Sequence, residues 1–248
     1  MKRLWQDAEL PPGFHLDYRE TTGSTNDDVR KAASHGAGEG LVVVAGKQEA
    51  GRGRRGAAWV CPPGEGLAFS VLLRPRVTKA LWPRLSLAAG LAVAEALERL
   101  GVIAEVKWPN DVWIAGGKVA GILVEAGDDH VVVGVGINVG VKEFPTVLEG
   151  SATSLLLESG EAPELPVVLA LVLERLQVWQ AKIGPGFEEL LRAFRVRCAL
   201  TGKTVRLLAA DGILSGTVAG IGDGGELLLQ TPEGLRRLVQ ADEVRVME

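Results

Sequence analysis

A run of arginine and glycine, Gly-Arg-Gly-Arg-Arg-Gly at residues 51–56, is the segment of this chain best suited to bind an anion. It has no apolar face, and glycine disfavours both helix and strand, so we predict a loop. Glycine lets a ligand approach the backbone closely, and guanidinium groups bind phosphate or carboxylate through paired hydrogen bonds. Taken alone, the segment is equally compatible with a solvated basic turn or a patch for nucleic acid.

The glycine spacing of this basic loop partly matches a phosphate-binding P-loop. Gly51 and Gly56 stand at the required separation, but two alanines follow where Lys and Ser or Thr are needed. The loop also leads towards a predicted strand instead of a helix. A triphosphate bound here would therefore be held by Arg52, Arg54 or Arg55.

Two clusters that contain lysine follow further along the chain. Residues 107–111, Lys-Trp-Pro-Asn-Asp, place charged and amide side chains around a proline turn. Such a corner suits a charged ligand or a metal, but also an ordinary surface turn. Lys118 follows two glycines and precedes an apolar stretch that contains Gly121. It either points into solvent or faces a ligand across the sheet, with Gly121 leaving room for that ligand.

Asn138 closes a fourth motif, Gly-Val-Gly-Ile-Asn at residues 134–138. The motif lacks the third glycine of a dinucleotide fingerprint, and no clear helix follows it. The amide of Asn138 offers both a donor and an acceptor, which suits the edge of an adenine as well as a simple turn.

Other chemistries have little support in the sequence. The three histidines are scattered, and Cys61 and Cys198 form neither a zinc-ligand pattern nor a disulfide framework. No Gly-x-Ser-x-Gly nucleophile elbow is present. Cys61 lies near the basic loop without a visible His or Lys partner, which favours an inert thiol.

The composition is that of a folded protein with a substantial core. Of 248 residues, 47% are hydrophobic and 23% are charged, and the formal net charge is -4. This balance argues against a general nucleic-acid binder. The longest apolar stretch, residues 85–97, is interrupted by Glu95 and is too short for a membrane span. With few cysteines and no signal peptide at the start, we expect a cytoplasmic protein with no membrane partner.

Helix and strand patterns surround the four motifs. Ser24 or Thr25 is a suitable helix N-cap, and Gly36 and Gly38 mark the end of that helix. Further helices are predicted at residues 84–99, 166–182 and 187–197. Strands are predicted at residues 41–45, 67–73, 104–108, 112–115, 118–125 and 130–137. The motifs therefore fall in loops or at the ends of strands.

The pattern of hydrophobic and polar residues changes in the last fifty residues. Short alternating segments at residues 204–207, 214–218, 226–230, 235–239 and 244–246 are separated by Asp-Gly turns. Short strands at regular spacing indicate a small antiparallel barrel. We place the boundary near Leu200, which gives domains at residues 1–199 and 200–248. Because the second domain is so small, we expect it to dock on the first.

In their order along the chain, the four motifs, with Ser24-Thr25-Asn26 before them, resemble the catalytic core of the biotin–protein ligases, the biotin–[acetyl-CoA-carboxylase] ligases. The resemblance covers about residues 18–140 and implies an α/β (α+β) fold. That fold is a mixed-sheet catalytic domain, of the biotin/lipoate ligase kind, followed by an SH3-like β-barrel. Some members of the family carry an N-terminal DNA-binding domain. Too few residues precede Ser24 for such a module, so we expect a form without it and no DNA partner.

The resemblance also implies a two-step reaction with biotin and Mg-ATP. Biotin is activated as biotinyl-5′-AMP, and the biotinyl group is then transferred to a lysine of a biotin carboxyl carrier protein. The carrier would belong to acetyl-CoA carboxylase or a related biotin-dependent enzyme. Family members often pair through the catalytic sheet, so a homodimer is possible.

The residues that match the family's motifs are expected to divide into three groups. The predicted catalytic residues are Arg52, Arg54, Asp111 and Lys118. The predicted biotin-binding residues are Ser24, Thr25, Asn26, Gln48, Gly51, Arg52, Trp59, Lys118 and Gly121. The predicted ATP-binding residues are Arg54, Arg55, Lys107, Asn110 and Asn138. The sequence does not assign the ligands of the Mg²⁺ ion.

Two rival interpretations remain at this point. A lipoate–protein ligase or octanoyl transferase shares the catalytic fold, although the transferase needs a Cys nucleophile with a Lys partner. A non-enzymatic module that binds biotin or a nucleotide belongs to a different class. The Gly-Arg-Gly-Arg-Arg-Gly loop favours biotin over the first rival, and the combination of Arg52, Arg54 and Lys118 argues against a non-enzymatic module.

Overall fold

The computed structural model of the chain describes residues 2–247, which contain six α-helices and twelve β-strands. Met1 and Glu248, the outer limits of the two predicted domains, lie outside the described residues. The helices are α1 (Lys2–Gln6), α2 (Thr25–Ser34), α3 (Arg84–Glu98), α4 (Leu155–Ser159), α5 (Leu165–Gln180) and α6 (Phe187–Val196). The first seven strands are β1 (His15–Arg19), β2 (Leu41–Ala45), β3 (Gly66–Leu73), β4 (Glu105–Lys107), β5 (Asp111–Ile114), β6 (Gly117–Ala126) and β7 (Val131–Asn138). The last five are β8 (Thr204–Ala209), β9 (Gly212–Ile221), β10 (Leu227–Thr231), β11 (Gly234–Leu238) and β12 (Asp242–Val246).

The first seven strands form one mixed sheet in the order β1-β2-β3-β7-β6-β5-β4. Only β1 and β2 pair in parallel, and every other neighbouring pair in this sheet is antiparallel. All eight residues of β7 are buried, as expected of a central strand that is covered on both faces. The predicted mixed-sheet fold is confirmed.

Helices cover the two faces of the sheet unequally. On one face, α3 and α5 pack together over a large apolar core that includes Val42 and Val44 of β2. Val43 points the opposite way, where it packs with Val29 of α2, because side chains alternate along a strand. On that face α2 packs mainly over β2, β3 and β7 and reaches β6 at Glu125, so none of the described helices lies over β5 and the start of β6.

The last five strands form the predicted antiparallel barrel, in the order β11-β10-β9-β8-β12. Its apolar residues join the same buried core as the first domain. Polar contacts also cross the junction: the indole nitrogen of Trp108 donates to the carbonyl of Gly225 at 3.0 Å, and Arg195 Nε donates to the carbonyl of Ile221 at 2.8 Å. The barrel is therefore docked on the part of the chain that forms the mixed sheet, as expected.

The predicted elements match the structure to within a few residues, but three short ones were missed. They are α1, β1 and α4, which have only five residues each and show too few periods of any pattern to detect. Ser24 is the N-cap of α2, but its side chain makes no capping hydrogen bond. None of the described helices combines the length and the apolarity needed to cross a lipid bilayer.

Candidate active site

A cavity of about 520 Å³ opens over the part of the sheet that no helix covers. Its wall is formed by the start of α2, the basic loop, the corner between β4 and β5, and residues 241–244 of the barrel. Thirteen of the predicted site residues line it: Ser24, Thr25, Asn26, Gln48, Arg52, Arg54, Arg55, Trp59, Lys107, Asn110, Asp111, Lys118 and Gly121. The fold thus brings together residues from four separate motifs.

Glycines in β6 and β7 make the floor of this cavity. A Cβ atom on Gly136 would lie 2.2 Å from the Trp59 ring, and one on Gly134 would lie 2.1 Å from Asn26 Oδ1. A Cβ atom on Gly121 would lie less tightly, 3.1 Å from Lys118 Nζ and 3.4 Å from the Trp59 ring. These glycines therefore admit the side chains that line the site, which explains the Gly-x-Gly spacing without a dinucleotide fingerprint.

Uncharged hydrogen-bonding groups form one end of the cavity, here called the neutral end: Ser24, Thr25, Asn26, Gln48 and, behind them, Ser70. The backbone N–H of Thr25 donates to Gln48 Oε1 at 2.8 Å. Ser70 Oγ lies 2.7 Å from Thr25 Oγ1 and 2.5 Å from Asn26 Oδ1. Sequence reasoning missed Ser70, which sits in an apolar strand and carries no motif.

Arginine and lysine side chains form the other end, here called the cationic end: Arg52, Arg54, Arg55, Lys107 and Lys118. Arg52 makes a paired contact with the carboxylate of Asp27, at 2.5 and 2.7 Å, and lies 3.9 Å from Glu125. The hydrogen bond from Arg52 holds the pKa of Asp27 below its ordinary value, although partial burial acts in the opposite direction. The arginine predicted to bind an anion thus already holds one.

The other two loop arginines are held by the barrel. Asp242 lies 3.2 Å from Arg54 and 2.5 Å from Arg55, and Arg54 also donates to the carbonyl of Ala241 at 3.1 Å. Arg55 adopts a left-handed backbone conformation, with φ of 52°, inside a single 3₁₀ turn. The barrel therefore completes the site, a role that its strand pattern did not indicate.

The two lysines occupy different surroundings. Lys118 Nζ lies 2.7 Å from Asp111 and 5.8 Å from the centre of the Trp59 ring. Lys107 Nζ lies over the Trp113 ring at 4.4 Å, and burial lowers its pKa although the nearby Asp111 carboxylate raises it. The predicted catalytic pair, Asp111 and Lys118, is therefore in direct contact.

The Lys-Trp-Pro-Asn-Asp corner is braced from several sides. The carbonyl of Pro109 accepts from Ser86 at 2.9 Å, and Asn110 Nδ2 donates to the carbonyl of Ile122 at 2.8 Å. Asn110 Oδ1 remains 3.5 Å from Arg54. These contacts fix the lysine at one end of the corner and the aspartate at the other.

Two predicted ligand-binding residues do not line the cavity. Asn138 is buried, and its amide donates to the carbonyl of Thr153 at 3.0 Å. Gly51 accepts at its carbonyl from the N–H of Trp59 at 2.9 Å, and a Cβ atom there would lie 2.4 Å from the Trp59 carbonyl. In this structure Gly51 shapes the loop, and Asn138 fastens β7 to the segment before α4.

Cys61 has the character of an inert thiol. Burial, with the nearby Glu65 as a second cause, raises its pKa to about 12, so that almost no thiolate forms at neutral pH. A Cβ atom on Gly66 would lie 2.1 Å from its sulfur, which shows how closely the thiol packs on β3. Among residues 2–247, no group of three or more His, Cys, Asp or Glu side chains could hold a metal ion.

Comparison with known proteins agrees with this architecture. Residues 18–141 match the model of the biotin/lipoate A/B protein ligase family, and residues 200–244 match the biotin protein ligase C-terminal domain. The biotin–[acetyl-CoA-carboxylase] ligase of Paracoccus denitrificans is 37% identical over 235 residues, which cover 90% of this chain and 97% of that protein. The bifunctional ligase/repressor BirA of Bacillus subtilis is 35% identical over 239 residues, 93% of this chain and 74% of that protein.

A solved structure extends the comparison to three dimensions. The biotin protein ligase from Aquifex aeolicus, in complex with biotin and ATP, superposes with a TM-score of 0.84 at 32% identity. The match covers 94% of this chain and 99% of that one. The fold and the four motifs thus define a member of the biotin/lipoate A/B protein ligase family. Within that family, the chain belongs to the biotin protein ligases.

Proposed function

We propose that this chain is an ATP-dependent ligase that activates biotin as biotinyl-5′-AMP and transfers the biotinyl group to a lysine of a biotin carboxyl carrier protein. One observation carries the proposal. A single cavity joins a buried set of neutral hydrogen-bonding groups to five cationic side chains. Biotin has the same two-part character, with a neutral ureido ring at one end and a carboxylate at the other. The family and its structurally similar relatives support the assignment.

The neutral end would hold the ring of biotin. Thr25 and Gln48 are fixed by hydrogen bonds to one another and are buried or half-buried. The ureido group needs both donors and acceptors in an otherwise apolar slot, and hydroxyl and amide side chains supply both. Trp59 and the glycines of β6 and β7 would supply the apolar walls.

The cationic end would carry out the first chemical step. A carboxylate oxygen of biotin attacks the α-phosphorus of ATP, and the bond to the pyrophosphate oxygen breaks. Both reactants are anions, so cations must offset their repulsion and stabilise the charge of the transition state. We assign Lys118 and Arg52 to the carboxylate and α-phosphate, and Arg54 with Arg55 to the remaining phosphates. Asp27 and Asp242 would release these arginines as the ligand anions arrive.

The second step would use Asp111. The nitrogen of a neutral carrier lysine attacks the acyl carbonyl, an amide forms, and AMP leaves. The carrier lysine must first lose a proton, and Asp111 is the carboxylate placed to orient its ammonium group. The contact between Asp111 and Lys118 supports this role because it puts the carboxylate beside the expected acyl phosphate.

Mg²⁺ belongs to the nucleotide in this proposal, because the described residues offer no metal-binding cluster of their own. Asn138 would reach the adenine only after it leaves the Thr153 carbonyl. The carrier would be the biotin domain of acetyl-CoA carboxylase or a related enzyme in the cytoplasm. A homodimer and a domain boundary near Leu200 remain predictions.

Biotin-dependent release of pyrophosphate from ATP, followed by mass spectrometry of a carrier domain, tests the proposal. We expect release with biotin and the mass increase of one biotinyl group on the carrier. Release with lipoate or octanoate but not biotin would instead identify a lipoate-type ligase. Hydrogen exchange of residues 51–56 adds a second measurement, since a reactive adenylate must be kept from water. We expect these amides to gain protection when biotin and ATP bind.

A further inference from the structure

A chain of four hydrogen-bonded side chains runs behind the neutral end, from Glu125 through Asn26 and Ser70 to Thr25. Asn26 Nδ2 donates to Glu125 Oε2 at 2.6 Å. Ser70 lies 2.5 Å from Asn26 Oδ1 and 2.7 Å from Thr25 Oγ1. Asn26, Ser70 and Thr25 are 4%, 0% and 3% exposed, so solvent does not compete for these contacts.

The chemistry of each group determines which one donates in each of these hydrogen bonds. A carboxylate only accepts hydrogen bonds, so Glu125 fixes the amide nitrogen of Asn26 towards itself. The carbonyl oxygen of Asn26 therefore faces Ser70, and it too can only accept. Ser70 has one hydroxyl hydrogen and must donate it to Asn26 Oδ1, which leaves Ser70 Oγ as an acceptor.

The same reasoning settles the hydroxyl of Thr25. Thr25 Oγ1 lies 2.7 Å from Ser70 Oγ and 3.1 Å from Gln48 Oε1. Gln48 Oε1 already accepts from the Thr25 N–H, and the closer pair of oxygens repels more strongly unless a hydrogen lies between them, so Thr25 donates its only hydroxyl hydrogen to Ser70. Its two lone pairs then serve as acceptors for a ligand in the cavity. The N–H of Thr25 meanwhile holds Gln48 Oε1, so that the amide hydrogens of Gln48 act as donors.

We propose that Glu125, Asn26 and Ser70 are positioning residues that set the Thr25 hydroxyl as an acceptor for a ligand N–H. The inference rests on the proposed function and names the feature of biotin that this part of the site selects, a ureido N–H group. A site built around a hydrogen bond rejects an analogue that lacks the partner, because a buried polar group is then left unpaired. The dithiolane ring of lipoate has no such N–H.

The floor of the cavity agrees with a fixed position for Asn26. Gly134 lies directly beneath it, and a Cβ atom there would approach Asn26 Oδ1 to 2.1 Å. On its other side Asn26 meets Glu125, whose carboxylate also lies near Arg30 and Arg52 at 3.6 and 3.9 Å. The amide is therefore held between a glycine and an anchored carboxylate.

Isothermal titration calorimetry with three ligands tests the inference without relying on catalysis. The ligands are biotin and the two lactams in which one or the other ureido N–H is replaced by CH₂. We expect one lactam to bind the wild-type protein about tenfold more weakly than biotin because it leaves Thr25 unpaired. In Ser70→Ala the Thr25 hydroxyl can rotate, so the penalty for that lactam should shrink to about threefold or less. The penalty for the other lactam should not change.

Two further variants make the test specific. Ser154→Ala removes an equally buried hydroxyl, which donates to the Val141 carbonyl away from the cavity, and should leave both lactam penalties unchanged. Glu125→Gln keeps the side-chain shape but allows the side-chain amide of Asn26 to rotate by half a turn. It should therefore reduce the penalty for the same lactam that is affected in Ser70→Ala. All three ligands share one carboxylate tail, so a change in charge near Arg52 cancels in their ratio.

The outcomes separate this inference from the proposed function. If the wild-type protein bound lipoate but not biotin, the proposed function would fail. If biotin bound but Ser70→Ala and Glu125→Gln weakened all three ligands by the same factor, the residues would be structural only and the positioning role would be wrong. The positioning role would also be wrong if Ser154→Ala changed the penalty for one lactam and not for the other.

Discussion

The two ends of the cavity are built on different principles. At the neutral end, Thr25, Asn26 and Ser70 are almost fully buried and satisfy one another with hydrogen bonds. At the cationic end, the side chain of Arg55 is 56% exposed and is held by Asp242 of the barrel. The neutral end is thus complete before a ligand arrives, whereas the cationic end must exchange protein carboxylates for ligand anions.

The elements that carry each end account for this difference. Apart from Gln48, the neutral end draws on the first turn of α2 and on β3, which are regular elements. The cationic end draws on the basic loop, on the corner between β4 and β5, and on the edge of the barrel. Regular elements hold side chains precisely, and loops allow the rearrangement that charge neutralisation requires.

Replacing the lysine at the centre of the cationic end should have the largest effect. We expect Lys118→Ala to lower the rate of biotin-dependent pyrophosphate release about 100- to 1000-fold, because a cation at the reacting phosphate stabilises the transition state. The melting temperature should change little, since Lys118 is partly exposed and its main partner is a single carboxylate.

Lys142→Ala supplies the matched control for this prediction. Lys142 is an exposed lysine in the segment after β7 and does not line the cavity. Its substitution should leave the rate of pyrophosphate release unchanged. Wild-type rates in Lys118→Ala would remove that lysine from the mechanism and weaken the distinction between the two ends.

Gly136 lies on the floor of the cavity, beneath Trp59, and its substitution should affect both protein stability and biotin binding. In Gly136→Ala the new methyl group would meet the Trp59 ring at 2.2 Å, so we expect a loss of about 1–3 kcal/mol in the free energy of unfolding. Biotin affinity, measured by calorimetry, should fall about tenfold or more as Trp59 shifts.

Gly90→Ala is the contrasting substitution in α3. A methyl group there would lie 3.7 Å from Val106, an ordinary contact, and alanine favours the helix. We expect urea unfolding to show a gain of about 0.5–1 kcal/mol. If both glycine variants lost stability equally, a general effect of Cβ atoms rather than the Trp59 contact would explain Gly136.

The carboxylate of the barrel should control the order of the basic loop. Asp242→Asn removes the charge that holds Arg54 and Arg55, and we expect a loss of about 1–2 kcal/mol in the free energy of unfolding. Hydrogen exchange at residues 51–56 should become faster in the ligand-free protein. The exposed pair of Asp211 and Arg236 offers the comparison, because solvent screens it; Asp211→Asn should change the free energy of unfolding much less than Asp242→Asn and leave the loop unchanged.

The sequence was sufficient for the parts of the site that carry their own signal. The run of arginines identified the basic loop, and the position after two glycines identified Lys118. Long apolar periodicities identified the main helices. These features depend on neighbours within a few positions along the chain, which is the range that pattern analysis covers. The predicted order of domains followed in the same way from the change near Leu200 to short alternating segments.

The partners of those residues were not predictable in the same way. Asp242 is far from Arg54 in sequence, and Ser70 and Glu125 sit in apolar strands whose pattern gives no hint of a polar role. Asn138 shows a contact that its motif did not indicate, because in this structure its amide donates to the Thr153 carbonyl. Long-range contacts are fixed by topology, so they appear only once the sheet is assembled.

The smallest expected effect concerns Asp27, and it tests whether this carboxylate behaves as a substitute for a ligand anion. Its pKa in the folded protein is lowered from 3.8, chiefly by the hydrogen bond from Arg52. A lowered folded-state pKa means that the ionised group stabilises the protein above pH 3.8, and that this contribution is lost as the pH falls through the lowered value. Because the Asp27 side chain is 41% exposed, solvent screening keeps the contribution small.

Urea unfolding of the wild-type protein and of Asp27→Asn across the acid range measures this contribution. The wild-type protein should be slightly more stable near neutral pH, and the difference should vanish as Asp27 becomes protonated in acid. High salt should reduce the difference near neutral pH, as expected for a partly exposed ion pair. A difference that stayed constant with pH and salt would show that Asp27 acts through packing. The cationic end would then resemble the neutral end, which is fixed before any ligand arrives.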